Sequence, residues 1–383
     1  MKVLIIGIDA MDPALVFRLV GEGKLPTIAG LIKNGTSGTL STTIPPYSMV
    51  AWTSFMTGRN PGGHGIFSNF RFKNNSYEQV INNANHITVP YFLDFLGKYD
   101  KRSLIFSVLS TYPVKPLNGL CIGGYSTPSD DVDFTYPKEL REEIQSKFDY
   151  RLHYTNVKEF HSKGQHKEML DMFYDRMERK VKTFCHYLRK EPWDFCVSCI
   201  TKGDTISHYY WKDMLEGSEH KSVVEEWYQT ADSYVKRLID AAGPNVNVIL
   251  MSDHGFHAPQ WNVNLNNFLV EKGYLRVRKE PLRARVLGKV GLTKKNARDL
   301  LIRLGFEKSL DKISGKLKDV LPGTTTRNID FAKTTAFVKE IAPEYGLVYV
   351  NTTGQFPGGT VTPEQYVYVV GKLAEDLKSL KHN

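Results

Sequence analysis

Cysteine is scarce in this sequence, with four residues among 383: Cys121, Cys185, Cys196 and Cys199. So few cysteines in a chain of this length exclude a disulfide framework. Cys196 and Cys199 form a C-x-x-C pattern, which elsewhere indicates redox chemistry or a zinc site. Here the pattern lies within Phe-Cys-Val-Ser-Cys-Ile, which is typical of a buried strand, where positions i and i+3 point to opposite faces. We therefore predict that both cysteines are core residues.

Long apolar runs are missing as well. No apolar stretch approaches the length of about 18 residues that a membrane-spanning helix needs. The apolar segment at the amino terminus ends at Asp9 and is too short for the core of a secretory signal peptide. Together with the scarcity of cysteine, these absences predict a cytoplasmic protein.

The charge balance is positive, with 50 Lys and Arg against 41 Asp and Glu and a formal net charge of +9. This balance favours anionic partners. No stretch interleaves basic and aromatic residues, so we expect a small anionic ligand rather than a nucleic acid polymer. Basic residues crowd between Arg276 and Arg303, where either a solvated face or a rim that attracts substrate would account for them.

Apolar runs of strand length alternate with longer segments of helical period, which predicts an α/β sandwich on a mainly parallel sheet. The clearest strands are Val3 to Ile8, Ser103 to Val108, Asp194 to Ile200 and Val246 to Met251. Helices are predicted over Lys167 to Leu188, over Val223 to Ala241, and from Lys24 to a stop at Asn34-Gly35. Two stretches interrupt the alternation. We expect them, residues 70–90 and 275–327, to form cap insertions on a core of residues 1–69, 91–274 and 328–383.

Three predicted strands are each followed by an aspartate: Asp9, Asp204 and Asp253. In open α/β sheets the functional site lies beyond the carboxyl ends of the strands, so these acids are expected to converge. Two of them come with a histidine, since Asp204 and His208 have i, i+4 spacing and His254 follows Asp253 directly. Carboxylate and imidazole together are typical ligands of zinc or a similar first-row ion. A pair of such ions is suited to phosphoryl displacement.

A nucleophile for such a site is expected near a helix start. In Ile44-Pro45-Pro46-Tyr47-Ser48, the prolines end the preceding segment and Ser48 occupies the position expected for an N-cap, ahead of a helical pattern. Backbone N–H groups there would hold a phosphoryl oxygen. Taken alone, Ser48 would be interpreted as a plain helix cap.

Several motifs resemble those of a known family in order and spacing. They are Gly7-Ile8-Asp9-Ala10, Ser48 placed nine residues before Thr57-Gly58, the segment Thr57 to Ile66, and Asp204 to Trp211 in the form D-x-x-x-H-x-x-W. From Met1 to about Leu377, the chain resembles the alkaline phosphatase superfamily, specifically its type I phosphodiesterase/nucleotide pyrophosphatase branch.

The resemblance implies an alkaline phosphatase-like three-layer α/β/α sandwich and a phosphoric ester hydrolase. It implies two divalent metal ions, with zinc expected and manganese or another first-row ion as the alternative. One ion would be bound by Asp9, Ser48, Asp253 and His254, and the other by Asp204 and His208. The metal-bound Ser48 would form a phospho-enzyme, and Asn69 would donate to a non-bridging phosphoryl oxygen. His64 is expected to be structural.

Two departures from the family pattern bear on activity. The second metal in the family takes a third ligand, a carboxy-terminal histidine; His257 is the nearest substitute here, with a loop histidine as the alternative and His382 a poor match. Monoesterases place an arginine beside the nucleophile, whereas Met49 and Val50 follow Ser48, which favours a diester or a pyrophosphate. Two alternatives to a phosphodiesterase stay open. One is an impaired or non-catalytic protein that only binds phosphoesters, and the other is a monoesterase or phosphomutase of the same fold. A sulfatase is disfavoured because its Cys/Ser-x-Pro-x-Arg motif is missing.

Overall fold

The computed structural model describes residues 1–261, 263–278, 329–341 and 345–380. Its strands are β1 Lys2–Ile8, β2 Phe70–Phe72, β3 Gln79–Ile81, β4 Ser103–Val108, β5 Gly119–Gly123, β6 Thr135–Tyr136, β7 Phe195–Ile200, β8 Val246–Ser252, β9 Ala336–Ile341 and β10 Gly346–Val350. Its helices are α1 Pro13–Gly21, α2 Pro26–Asn34, α3 Ser48–Thr57, α4 Pro61–His64, α5 Phe92–Lys98, α6 Leu140–Phe148, α7 Val157–Ser162, α8 His166–Lys190, α9 Gly203–Glu216, α10 Val223–Ala242, α11 Leu265–Glu271 and α12 Pro363–Lys378.

The predicted strands and helices are confirmed to within two residues at each end. The predicted helix stop at Asn34-Gly35 is also confirmed, although the conformation there differs from a typical glycine cap. Gly35 has φ −135° and ψ −153°, which is extended rather than left-handed.

The central sheet has six strands in the order β6-β5-β4-β7-β1-β8. All neighbouring pairs are parallel except β5 and β6. In the register of β1, Ile8 lies opposite both Ile200 of β7 and Ser252 of β8. The carboxyl ends of these three strands are therefore level, and the segments that follow them leave from one edge of the sheet.

Helices cover both faces of the sheet. The side chains of β1 point alternately to one face and the other. Leu4, Ile6 and Ile8 pack into a core shared with α8 and α10. Ile5 points the other way, into a core with Trp52 and Met56 of α3. The predicted three-layer α/β/α arrangement on a mainly parallel sheet is confirmed.

A single glycine permits the close packing of α3 on the sheet. A Cβ placed on Gly7 would lie 2.1 Å from Cη2 of Trp52, so any larger residue in β1 would displace the indole. Trp52 is 1% exposed, and it lies four residues, or about one helical turn, after Ser48. The start of α3 is thereby fixed against the strand that ends before Asp9.

The four cysteines are buried and free, as the sequence predicts. Cys196 packs in the core with α8 and α10, and Cys199 packs on the opposite face, with Trp52. Their side chains thus point to opposite faces of β7. The C-x-x-C pattern here belongs to a central strand.

The chain divides into two compact units, residues 1–71 with 80–258, and residues 72–79 with 259–383. The second unit has its own core around Phe72, Phe337 and Phe356. Within it, Asn351 is a structural centre: its Oδ1 accepts from the Tyr77 hydroxyl at 2.8 Å, and its Nδ2 faces backbone carbonyl oxygens at 2.8 to 3.0 Å. These bonds give Asn351 a structural role in the second unit.

The predicted division into a core and two cap insertions stays a prediction. Residues 279–328, which make up most of the 275–327 insertion and of its basic stretch, lie outside the described residues, as does His382. Among the residues that the structure describes, no helix is both long and apolar enough to cross a membrane. The cytoplasmic location also stays a prediction.

Candidate metal and active site

Asp9 is the first residue after β1, and the loop that it begins is fastened to the end of β8. Ala10 is fully buried with φ +57°, a left-handed conformation uncommon for a residue with a side chain. Its N–H donates to Oδ1 of Asp253 at 3.2 Å. The next N–H, of Met11, donates to Oγ of Ser252 at 2.9 Å. These bonds compensate for the strained backbone and hold Asp9 beside Asp253.

The Asp253 carboxylate is the most buried acid of the site, with its side chain 1% exposed. Its Oδ1 accepts the N–H groups of Ala10 and His254, at 3.2 and 3.1 Å. Its Oδ2 is buried without a hydrogen-bond partner and lies 3.6 Å from Nε2 of His254. Oδ1 therefore fixes the orientation of the carboxylate, and Oδ2 has no hydrogen bond and is close to His254.

Ser48 is the first residue of α3 and not its N-cap, which corrects the sequence-based prediction. The N-cap is Tyr47, with extended φ −89° and ψ 141°. A one-residue shift of this kind is common at helix ends. Here it has a chemical consequence, because Oγ of Ser48 lies 3.0 Å from Nε2 of His254 and 3.5 Å from Oδ1 of Asp9. The serine side chain faces the acids and the histidine rather than capping the helix.

Asp9, Asp253 and His254 form a compact group of possible ligands. One ligand atom from each residue lies within 4.8 Å of those of the other two. Within residues 1–261, 263–278, 329–341 and 345–380, this is the only such group of three His, Cys, Asp or Glu residues. The structure thus brings together the four residues predicted for one metal, counting Ser48.

The electrostatics of the group favour a bound cation. Burial, and then the neighbouring Asp253 and Asp204, raise the pKa of Asp9 well above its ordinary value. Burial works against the charged form of His254, but Asp253 and Asp9 outweigh it, so the pKa of His254 is raised. Close carboxylates with one orphaned oxygen are the arrangement that a divalent cation relieves, so these residues fit a metal ion.

Asp204 and His208 share one face of α9, as their spacing predicts. His208 Nε2 lies 3.3 Å from Oδ1 of Asp204, and the two side chains are 43% and 31% exposed. Burial opposes the ionised form of Asp204, but the hydrogen bond and charge of His208 prevail and lower its pKa. The His208 ring also contacts Phe256, with centroids 5.0 Å apart. Two ligands of the second predicted metal are therefore adjacent, on a more open surface than the first group.

The two remaining predicted residues, His257 and Asn69, are both exposed. The ring of His257 is exposed, and its Nδ1 lies 2.8 Å from the carbonyl oxygen of Ala258. Asn69 is exposed just before β2, and its backbone carbonyl accepts from the N–H of Asn82 at 2.8 Å. The roles of His257 as a ligand and of Asn69 as a donor stay predictions.

His64 is fully buried in α4, and both ring nitrogens are occupied. Nε2 lies 2.9 Å from Oγ of Ser54, and Nδ1 accepts the N–H of Ile66 at 3.1 Å. Burial lowers the pKa of His64 to about 4, so the ring is neutral near pH 7. These bonds support the predicted structural role.

Two residues of the site were missed by reasoning from sequence. Ser252 accepts a hydrogen bond from the N–H of Met11, and its hydroxyl donates to the carbonyl oxygen of His254 at 2.7 Å. No sequence pattern predicts these two bonds. Lys202 precedes Gly203-Asp204 with φ +90°, is 7% exposed, and has favourable charge interactions with Asp9 and Asp204. Its signal was a lysine two residues after a buried strand and directly before a glycine.

Comparison with known proteins shows the family of the chain. Residues 3–382 match the family of type I phosphodiesterases/nucleotide pyrophosphatases, and the chain belongs to this family of hydrolases. The predicted membership is confirmed.

Solved structures of a phosphonoacetate hydrolase show the same fold at low identity. Phosphonoacetate hydrolase from Sinorhizobium meliloti 1021, in complex with phosphonoformate, aligns with a TM-score of 0.52 and 16% identity over 74% of this chain and 66% of that chain. Murine ectonucleotide pyrophosphatase/phosphodiesterase 5 aligns with a TM-score of 0.46 and 15% identity over 72% of this chain and 63% of that one. In both cases this chain spans less than two thirds of the other protein's length.

Proposed function

We propose that this protein is a metal-dependent phosphodiesterase-like hydrolase in which Ser48 attacks phosphorus. One observation carries the proposal: Oγ of Ser48 is 3.0 Å from Nε2 of His254 and 3.5 Å from Oδ1 of Asp9, within a group that fits a metal ion. A serine hydroxyl is a poor nucleophile at neutral pH, and contacts with a histidine and an acid are suited to activating it.

Asp9, Ser48, Asp253 and His254 would hold one divalent ion, for which zinc suits the donor set, and Asp204 with His208 would hold a second. When bound, such ions lower the pKa of a hydroxyl and offset negative charge on phosphoryl oxygens. Asp253 contributes orientation as well as charge, because its Oδ1 is tied to two backbone N–H groups.

The protein's own groups perform a two-step displacement. Oγ of Ser48 forms a bond to phosphorus as the bond from phosphorus to the leaving alcohol oxygen breaks. The serine hydroxyl proton passes to water, and the leaving oxygen takes a proton from water as the alcohol departs. Water then attacks the same phosphorus, which breaks the P–Oγ bond and restores the hydroxyl. The N–H groups at the start of α3, which have no partners within the helix, and the predicted donor Asn69 would hold the non-bridging oxygens.

The substrate is proposed to be a small phosphodiester or pyrophosphate. The two residues after Ser48, Met49 and Val50, are buried and uncharged. Neither of them can balance the extra negative charge of a monoester. The similar phosphonoacetate hydrolase binds phosphonoformate, also a small phosphorus-containing anion. The net charge of +9 favours such ligands.

The test is hydrolysis of bis(p-nitrophenyl) phosphate and of p-nitrophenyl phosphate, with zinc or manganese added to metal-free protein. We expect metal-dependent cleavage with preference for the diester. Ser48→Ala should lower kcat by at least about a thousandfold, as loss of a nucleophile does. Ser54→Ala, on the same helix but bonded to His64, is the matched control and should retain activity. Full activity in Ser48→Ala would refute the proposal.

A further inference from the structure

The hydroxyl of Ser252 connects two segments that carry predicted ligands of the first ion. Ser252 is the last residue of β8 and lies opposite Ile8, the last residue of β1. Its Oγ accepts the N–H of Met11 at 2.9 Å and donates to the carbonyl oxygen of His254 at 2.7 Å. A serine hydroxyl has a single proton to donate, and here the proton goes to the turn that carries His254.

The backbone of His254 is held on both sides. Its N–H donates to Oδ1 of Asp253 at 3.1 Å, and its carbonyl oxygen accepts from Ser252. The turn also lies against the loop after β1, because a Cβ on Gly255 would be 3.4 Å from Oδ2 of Asp12. The direction in which the His254 side chain leaves the backbone is therefore fixed, and the hydroxyl of Ser252 supplies one of the bonds that fix it.

The orientation of the His254 ring follows from this turn. Nδ1 lies 2.8 Å from the carbonyl oxygen of Gly255, so the neutral ring carries its proton on Nδ1 and donates it to that oxygen. Nε2 then has a free lone pair, and it faces Oγ of Ser48 at 3.0 Å. An unprotonated imidazole nitrogen can bind a metal ion or accept a proton. The position of Nε2 thus depends on the backbone that Ser252 holds.

A second link joins the same two segments, but it differs in kind. The N–H of Ala10 donates to Oδ1 of Asp253 at 3.2 Å, so that link runs through the side chain of a predicted ligand. The link through Ser252 uses a neutral hydroxyl that is not itself a predicted ligand. It can therefore hold Met11 and His254 in the same relation with or without a bound cation.

We propose that Ser252 is a positioning residue whose hydroxyl holds the loop that begins at Asp9 against the turn that carries His254, and so sets the spacing of the ligands of the first ion. It acts through His254 and through the backbone of Met11, and not as a ligand. The inference rests on the proposed function. It adds that metal affinity and the rate of attack by Ser48 depend on one hydroxyl outside the ligand set.

Thr111 offers a matched control, because its hydroxyl makes the same pair of bonds. Oγ1 accepts the N–H of Gly124 at 3.2 Å and donates to the carbonyl oxygen of Val108 at 2.7 Å. Thr111 also lies beyond the carboxyl end of a strand, β4, but neither of these partners is a predicted ligand or the neighbour of one. Thr111→Val therefore removes an equivalent bridging hydroxyl without altering the support of the metal group.

The first measurement is calorimetric titration of zinc into metal-free full-length protein. Ser252→Ala should weaken zinc binding by about tenfold or more, as the loss of a group that orients a ligand does. Ser252→Thr, which keeps a hydroxyl, and Thr111→Val should bind zinc as the unaltered protein does. In urea, metal-free Ser252→Ala and Thr111→Val should lose similar stability, because each loses one hydroxyl with two bonds.

The second measurement is steady-state hydrolysis of bis(p-nitrophenyl) phosphate at saturating zinc. Ser252→Ala should lower kcat by about tenfold or more with little change in KM, because the hydroxyl acts on the nucleophile's surroundings and not on substrate binding. Ser252→Thr should restore kcat, and Thr111→Val should leave it unchanged. A loss of stability alone would produce neither this division between kcat and KM nor the recovery in Ser252→Thr.

The opposite results separate the inference from the proposed function. A Ser252→Ala variant with the zinc affinity and kcat of the unaltered protein would overturn the inference alone. Losses as large in Ser252→Thr or in Thr111→Val would do the same. Unaltered protein that neither binds zinc nor cleaves the diester would overturn both. If Ser252→Ala does not fold, hydrogen exchange of the unaltered protein decides: the Met11 amide should exchange slowly, and an unprotected amide would contradict the inference.

Discussion

Oγ of Ser48 lies 3.0 Å from Nε2 of His254, although the two residues are 206 positions apart in the chain. The contact joins the start of α3 to the end of β8. It depends on Trp52, which packs α3 onto β1 over Gly7, and on Asp253, whose Oδ1 holds the backbone of His254. The candidate site is therefore a consequence of how these elements pack, and substitutions at each support have distinct expected effects.

Asp253→Asn should have opposite effects on the metal-free and the metal-loaded protein. The amide can keep the hydrogen bonds of Oδ1, while the repulsion that contributes to the raised pKa of Asp9 is removed. The metal-free variant should therefore melt at a higher temperature than the metal-free parent. At saturating zinc, about 100 times Kd, the parent should gain roughly 5 °C in Tm and the variant little. An equal zinc shift in both proteins would contradict a role for Asp253 as a ligand.

Gly7→Ala should destabilise the protein, because its Cβ would lie 2.1 Å from Cη2 of Trp52. We expect a loss of at least about 2 kcal/mol in the free energy of unfolding, measured with urea. Trp52→Phe removes the clashing part of the indole, so the double variant should lose less than the two single losses added together. Gly30→Ala in α2, where a Cβ would meet nothing within 4 Å, should be neutral or stabilising. Additive losses would place the origin of the effect elsewhere.

Lys180→Met should stabilise the protein in a pH-dependent way. Burial, followed by the charge of Lys202, lowers the pKa of Lys180 from 10.5 to about 7. Between these values the unfolded chain holds a proton that the folded protein does not, so the stability of the parent rises with pH across this window. The variant's advantage in Tm should be largest below pH 7, at least about 4 °C, and should shrink toward pH 10.5. A difference that does not vary with pH would show that Lys180 is uncharged or unshifted.

Much of this arrangement could be predicted from the sequence, because its signals are local. Asp9 and Asp253 each follow an apolar run, and parallel strands release such residues at one edge of the sheet. The i, i+4 spacing of Asp204 and His208 predicts a shared helical face, which α9 provides. Each of these predictions needs only periodicity and the general behaviour of parallel sheets.

The rest depends on contacts between distant segments. The order of strands, with β1 between β7 and β8, decides which acids meet, and no local pattern encodes it. The contact between Ser48 and His254 joins residues 206 positions apart, and the helix-start pattern at Ser48 does not predict it. The close approach of Gly203 to the carbonyl oxygen of Asp9 joins two segments that are far apart in the chain, and no local pattern predicts it.

The most direct test of the account is to identify the residue that carries phosphorus during turnover. Protein loaded with zinc would be mixed with bis(p-nitrophenyl) phosphate, quenched in acid within the first turnover, digested and analysed by mass spectrometry. We expect a p-nitrophenyl phosphoryl adduct on the peptide that contains Ser48, and none in Ser48→Ala. Steady turnover of the diester with no adduct on Ser48, or with an adduct on another residue, would contradict the account.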